Sequence, residues 1–289
     1  MEANMGVDIE KIATPALRAA VLAGQAIMEV YRTDFEVDYK SDKSPLTLAD
    51  KRAHDIITEH LLPLEIPILS EEGKNTPYSE RKNWETLWIV DPLDGTKEFI
   101  KKNDEFTVNI ALIHGRTPVF GVIYVPVKRM LYFGSLTAGA YLLESRPLLE
   151  RFSGPPGGTD LPPLEEVISN SRRLPISKPC RAPRVIVGSR SHLTPEVEAF
   201  VEIQKQHYDQ VEFVAAGSSL KFCLVAEGRA AVYPRLGPTM EWDTAAGQAI
   251  AAASGAKVYR HDTGEPLLYN RPNLLNPWFV VEFTEEGVK

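Results

Sequence analysis

Between residues 9 and 31 the apolar positions Ile12, Ala16, Ala19, Ala20, Ala23 and Ile27 recur at helical spacing, which predicts an amphipathic helix with Pro15 in its first turn or at a kink. A second helix is predicted after Ser44-Pro45, with Ala49, Ala53, Ile56, Ile57 and His60 in one stripe and Asp50 at its edge near the helix start. The pattern then changes to short apolar runs at 66–69, 87–90, 106–113, 119–125, 130–135 and 140–143, each bounded by turn residues, which predict successive strands. His114-Gly115-Arg116 reads as a hairpin loop.

The stretch RFSGPPGGTDLPP (151–163) is dense in Gly and Pro and is the expected connection between an N-terminal α+β lobe, 1–150, and a C-terminal α/β lobe, 164–289. In the second lobe, strands are expected at 185–188, 211–214, 230–233, 258–259 and 279–283. Thr194-Pro195 has the N-cap and N1 residues of a helix whose Val197, Phe200 and Val201 share a face. Gly217-Ser218-Ser219 leads into a helix closed by Gly228, and Trp242-Asp243-Thr244, with Asp243 as N-cap, opens an alanine-rich helix that can approach a sheet closely. Layer reasoning gives a mixed α/β (α+β) chain of two lobes.

Composition narrows the function. With 44% hydrophobic and 25% charged residues the chain is that of an ordinary globular protein, and its net charge of −7 makes nucleic acid a poor partner. A phosphate must then be met by a local site or by bound cations. Cys180 and Cys223 form neither a CxxC pair nor a zinc pattern, which fits a reducing cytoplasm. No basic, apolar leader and no run of roughly 18 apolar residues is present, so no transmembrane segment is expected.

The candidate chemistry lies at element ends: Asp50, Glu71, Asp91, Asp94 and Asp243. In WIVDPLDGTKEF (88–99), Asp91 and Asp94 are three apart with Pro92 between them, so both carboxylates can converge on one point with the Leu93 carbonyl turned inward. Like charges so close need a cation, and oxygen donors without His or Cys favour Mg²⁺. The alternative is a turn in which both acids only cap the next helix. Gly95 and Thr96 weigh against it, because N–H groups at a helix start can cradle phosphate and the Thr96 hydroxyl can orient a water. An aspartyl-phosphate mechanism of the DxDGT kind is excluded, since Pro92 stands where that nucleophile would be.

Together, SEEG (70–73), DPLDGTKEF (91–99) and WDTAAG (242–247), in that order, resemble the Mg²⁺-dependent, Li⁺-sensitive phosphatase superfamily of inositol monophosphatases, and the likeness runs from KSDKSPLTLAD (40–50) to the small-residue helix. SRSH (189–192), GSSLKFCLVAEG (217–228) and YPRLGPTMEWD (233–243) resemble its 3'(2'),5'-bisphosphate nucleotidase branch, the CysQ type. The resemblance implies the layered αβαβα sugar-phosphatase fold and removal of the 3'-phosphate of adenosine 3',5'-bisphosphate (PAP), with possible action on the sulfated nucleotide PAPS, in sulfur metabolism. It also implies that Glu71, Asp91, the Leu93 carbonyl, Asp94 and Asp243 hold two or three Mg²⁺ ions, with Li⁺ inhibiting. Asp50 and Thr96, helped by Glu71, would position and deprotonate the attacking water. Gly95, Thr96, Gly217, Ser218 and Asp243 would meet the substrate, and His192, Lys221 and Arg235 the phosphate that is not cleaved. An inositol monophosphatase or fructose-1,6-bisphosphatase on the same scaffold, or a non-catalytic binding module, are the competing expectations.

Overall fold

The computed structural model describes residues 8–39, 45–74, 76–154, 161–177, 183–189 and 194–283. The first half contains α1 (Ile9–Tyr31), β1 (Val37–Tyr39), β2 (Pro45–Thr47), α2 (Leu48–Leu61), β3 (Ile68–Ser70), α3 (Tyr78–Arg81), β4 (Thr86–Asp94), α4 (Thr96–Ile100), β5 (Thr107–His114), β6 (Thr117–Val125), β7 (Met130–Ser135), β8 (Gly139–Leu143) and α5 (Arg146–Phe152). The second contains α6 (Leu164–Ser169), β9 (Arg172–Arg173), β10 (Arg184–Ser189), α7 (Pro195–His207), β11 (Val211–Ala216), α8 (Leu220–Ala226), β12 (Val232–Arg235), α9 (Glu241–Ala253), β13 (Lys257–Arg260) and β14 (Phe279–Glu282).

These elements stack as five layers, αβαβα. One sheet has the order β3-β4-β5-β6-β7-β8-β9 and the other β11-β10-β12-β14-β13, with β1-β2 a separate ribbon. Helices α1 and α2 cover the outer face of the first sheet, α8 and α9 lie between the sheets, and α7 packs on β11 and β12 outside the second. Each interlayer space holds its own core. Leu17, Ile27, Ala53, Trp88, Val90, Ile110 and Val122 fill the first, and Leu87, Ile89, Ala111, Phe222, Ala246, Ile250 and Val281 fill the second. Ile186, Val232 and Val280 form the third with Phe200 and Val201 of α7.

The two-residue period explains the apolar runs. In β4, Trp88 and Val90 face one core while Leu87 and Ile89 face the other, so a sheet covered on both faces reads as continuously apolar. Helix α9 lies close against β6, as its alanines predict: a Cβ at Gly121 would come 2.5 Å from the Ala246 carbonyl oxygen and 2.8 Å from Ala249 Cβ.

Three local expectations are corrected. Strand β4 continues through Asp91 to Asp94, where a turn was expected; it shifts register between those residues because Pro92 cannot donate to the ladder, and the Leu93 N–H donates to Asp91 Oδ1 at 3.1 Å. Asp243 is the third residue of α9, with Met240 at the N-cap, because its carboxylate reaches back to the Met240 N–H at 2.8 Å. The chain also changes sheet later than the 151–163 connection. Val167 of α6 is buried in the first core and β9 is the first sheet's seventh strand, so the passage falls between Arg173 and Arg184. Among the described residues no helix is long and apolar enough to cross a membrane.

Candidate functional site

Strand pairing assembles the acids. Parallel pairing of β3 with β4 sets Ser70 beside Val90, and the Glu71 N–H extends it by donating to the Val90 carbonyl at 3.1 Å, which places Glu71 next to Asp91. The first turn of α9 enters from the facing layer and brings Asp243. Carboxylate oxygens of Glu71, Asp91 and Asp243 all lie within 4.8 Å of one another, with Asp91 buried and the other two half-buried.

Asp94 sits one register step away in a cradle of donors. Its Oδ2 accepts from Ser218 Oγ at 2.7 Å, Ser219 Oγ at 2.8 Å, Asn109 Nδ2 at 3.3 Å and Thr107 Oγ1 at 3.5 Å. Thr107 and Asn109 come from β5, directly across from Asp94 and Asp91 in the antiparallel ladder. Gly95 then turns the chain at φ +89°, where a side chain would be strained, into the five-residue α4.

Asp50 and Thr96 form the third part of the site. Asp50 is the third residue of α2; its Oδ2 accepts from the Thr47 N–H at 2.7 Å and the Thr47 hydroxyl at 2.6 Å, which leaves Oδ1 directed at Thr96. The Thr96 hydroxyl lies 3.3 Å from Asp50 Oδ1 and 3.3 Å from the Leu93 carbonyl oxygen. Asp50 and Asp243 therefore use one device: each is an N3 acid whose backward hydrogen bond to its own N-cap fixes the carboxylate.

The electrostatics call for a cation. Burial, followed by the charges of Glu71, Asp94, Asp243 and Asp50, pushes the Asp91 carboxyl well above the carboxylate range. Burial and then Asp94 push Asp243 up to about 8, with Arg235 opposing. Acids raised in this way bind protons at neutral pH unless a positive charge displaces them. The donors are all oxygen, and their spacing suits one or more hard divalent ions, so the residues present fit a metal centre.

A cleft of about 170 Å³ opens beside Asp94 and Asp243 and is lined by Gly95, Gly217, Ser218, Lys221, Tyr233 and Arg235 among others. Four of these residues already make hydrogen bonds within the chain. The Gly217 N–H donates to Glu105 Oε2 at 2.9 Å, and Ser218 is spent on Asp94. Lys221 is buried and donates from Nζ to the carbonyls of Ala216, at 3.2 Å, and Ser218; burial lowers its pKa to about 8 against the opposing pull of Asp94. Arg235 donates to the Pro238 carbonyl at 2.7 Å. His192 lies outside the described residues.

Glu71, Asp91, Asp94, Asp243, Asp50, Thr96 and the Leu93 carbonyl are thus gathered at one place. Sequence reasoning missed Thr107, Asn109, Ser219 and Glu105. The first two carried a signal: in FTVNIALI they are the only polar residues of an apolar strand, and at i and i+2 they share a face. Ser219 and Glu105 had none, since their roles depend on a loop from another layer.

The inositol monophosphatase family model matches residues 8–280. Over 265 residues the chain is 44% identical to the 3'(2'),5'-bisphosphate nucleotidase CysQ of Salmonella typhimurium, a match covering 90% of this chain and 94% of that protein. It is 43% identical, over the same shares, to the CysQ nucleotidase of Shigella flexneri. The crystal structure of CysQ from Bacteroides thetaiotaomicron, a bacterial member of the same family, is 50% identical and superposes with a TM-score of 0.84 over 95% of this chain and 97% of that one.

Proposed function

The chain belongs to the inositol monophosphatase family, and from that premise we propose that it is a metal-dependent 3'(2'),5'-bisphosphate nucleotidase that hydrolyses PAP to 5'-AMP and phosphate. The observation that carries this reading is one cleft with two kinds of wall. Asp94 and Asp243 line it on the acidic side, with Asp243 tied to Glu71 and Asp91 in one cluster, and Lys221 and Arg235 line it as well. The acids suit metal and the phosphate to be cleaved; the cations suit a second phosphate.

Glu71, Asp91, Asp94, Asp243 and the Leu93 carbonyl would hold the ions, which we take to be two or three Mg²⁺ and to be displaced by Li⁺. When bound, such ions neutralise phosphoryl oxygens, lower the pKa of water and stabilise the leaving oxygen. The chain's own residues do the rest. Asp50 Oδ1 accepts from the Thr96 hydroxyl, which leaves the Thr96 oxygen free to accept from a water aimed at phosphorus. The water's proton passes toward Asp50 and Thr96, with Glu71 beside them, as the new P–O bond forms and the bond from phosphorus to the ribose 3' oxygen breaks, and that oxygen takes a proton from solvent to become the 3'-hydroxyl of 5'-AMP. Gly95 at the start of α4 lets the phosphate approach the backbone. Ser218 and Gly217 build the wall against which the sugar rests, and Asp243 also borders it. Lys221, Arg235 and His192 meet the uncleaved 5'-phosphate, with Lys221 also tying the 216–218 loop.

PAPS carries the same 3'-phosphate and is a second proposed substrate. The role would be to clear the nucleotide by-product of sulfate activation and transfer, in the cytoplasm. Phosphate release from PAP, inositol 1-phosphate and fructose 1,6-bisphosphate, assayed in parallel with Mg²⁺ and with EDTA, tests the reading. Preference for PAP supports it, and preference for inositol or sugar phosphate refutes it.

A further inference from the structure

A separate pocket of about 340 Å³ lies between α1, the turn that joins β6 to β7, and α5. It shares no lining residue with the catalytic cleft. A volume of this size is in the range of small-molecule sites, roughly 300–1,000 Å³. Three arginines line it: Arg32 at the end of α1, Arg129 in the turn and Arg146 at the start of α5. Among the described residues none of the three guanidinium groups makes a hydrogen bond or an ion pair. Two carboxylates, of Glu29 and Glu150, also line the space, but Glu29 lies 3.9 Å from Arg52, so the pocket stays positive in a chain whose net charge is −7.

Tyr124 borders the same space. It is only 5% exposed, and among the described residues its hydroxyl has no hydrogen-bond partner. A buried tyrosine hydroxyl normally has one. The ring is fixed in place, since a Cβ at Gly24 of α1 would come 2.5 Å from two of its carbons. The Arg129 charge acts on this hydroxyl, opposing the burial that raises its pKa. Arg129 itself stands at φ +52°, a conformation that favours glycine, so its guanidinium is held there against backbone strain.

We propose that this pocket binds a small phosphate ester, with its dianion facing Arg32, Arg129 and Arg146 and its organic part lying against Val21, Met28 and Leu149. Guanidinium groups match phosphate in geometry and charge, and the Tyr124 hydroxyl supplies one further donor. Val21 and Leu149 are buried and Met28 is half-buried, so an apolar group placed on them gains by leaving water. The walls are joined before any ligand arrives, because Gln25 of α1 donates to the Ser153 hydroxyl just beyond α5. The site is independent of the phosphate chemistry at Asp91 and Asp94, and its ligand is bound and not consumed.

The probe is phenylphosphonate, whose phosphorus–carbon bond is not hydrolysed by attack of water on a phosphate ester. It is titrated calorimetrically in EDTA, so that no metal draws it to the acid cluster. Wild type is compared with the triple variant Arg32→Gln, Arg129→Gln, Arg146→Gln, with Tyr124→Phe and, as a control in the catalytic cleft, with Arg235→Gln. The triple variant is expected to weaken binding by about ten-fold or more and Tyr124→Phe by about three-fold, while Arg235→Gln leaves it unchanged. All three arginines are exposed, so the triple variant is expected to keep the wild-type fold and turnover. Inorganic phosphate is expected to bind several-fold more weakly than phenylphosphonate, and equal affinity for the two overturns the assignment of an ester. Absence of binding to the wild type, or a triple variant that binds as the wild type does, overturns the site.

Discussion

Ser218 Oγ lies 2.7 Å from Asp94 Oδ2, so the loop after β11 is fastened to the acid that ends β4. Asp94 is the point where the two sheets' contributions to the site meet, since its other donors come from β5 and from Ser219 at the start of α8. Replacing Ser218 with Ala removes one charge-assisted hydrogen bond, worth about 1.5–3 kcal/mol. The expected outcome is a lower kcat/KM at unchanged secondary structure, read by steady-state kinetics beside circular dichroism; full activity would show that the contact does not position Asp94.

Asp94→Asn keeps the shape of the side chain and an acceptor for the serines but removes a negative charge from the proposed metal centre. Turnover is expected to fall by about two orders of magnitude or more while the melting temperature changes little. Isothermal titration with Mg²⁺ should show weakened binding, and unaltered affinity would remove Asp94 from the ligand set.

The Asp50–Thr96 pair separates chemistry from binding. Thr96→Val deletes the hydroxyl that lies 3.3 Å from Asp50 Oδ1, and kcat should drop by about 10²–10⁴-fold with KM nearly constant. Thr96→Ser should restore most of the rate. Equal loss in both variants would assign Thr96 a packing role.

The acid cluster predicts a pH dependence whose sign reverses with metal. Asp91 and Asp243 have folded-state pKa values raised by burial and by their acidic neighbours, Asp243 to about 8. Between the ordinary carboxylate range and that value the native state binds more protons than the unfolded chain, so stability falls as pH rises. In EDTA the melting temperature is expected to fall from about pH 5 to pH 8, and Asp243→Asn should flatten the slope. Bound Mg²⁺ takes the deprotonated acids, so its stabilising effect should grow over the same range and proton release should accompany binding. A metal-free protein that is equally stable at both ends would contradict this picture.

Much of this was legible in the chain. Residues 9–31 gave α1 with the bounds observed, because its small residues Ala13, Ala16, Ala19, Ala20 and Ala23 are buried along its length between α2 and the first sheet. Strands β3 and β5 to β8 were found within two residues at either end, whereas β4 was cut four residues short and β9 was not found. The path of the backbone at 91–94 was not, since Asp-Pro and Asp-Gly favour turns and only pairing with β5 keeps them in a strand. Nor could periodicity show α5 and α6 flanking the Gly/Pro-rich stretch and packing back on the first core. The acids of the site were readable because each is fixed locally, Asp50 and Asp243 by their own N-caps. The cationic side was less so: the directions of Lys221 and Arg235 depend on carbonyls of neighbouring loops.

Gly121 tests the five-layer packing. Gly121→Ala would place a methyl group 2.5 Å from the Ala246 carbonyl oxygen on a helix held between two sheets. An overpacking cost of about 1–3 kcal/mol is expected, or a melting temperature lower by about 2–4 °C per kcal/mol. Because α9 carries Asp243, activity should fall as well; an unchanged melting temperature would mean that the helix can move away from the sheet.

Arg235→Gln distinguishes the two kinds of wall in the cleft. Loss of a charge-assisted contact to the uncleaved phosphate, about 1.5–3 kcal/mol, should raise KM for PAP by roughly ten- to a hundred-fold and KM for 3'-AMP far less. Parallel increases for both substrates would move Arg235 out of the second phosphate's site.

The central claim, metal-dependent attack of water on the 3'-phosphate, is tested most directly by ³¹P NMR of PAP turned over in ¹⁸O-labelled water. The account predicts 5'-AMP and inorganic phosphate as products, one ¹⁸O per released phosphate in a single turnover, and no reaction in EDTA. Label in the nucleotide, formation of 3'-AMP, or turnover that survives EDTA would contradict it.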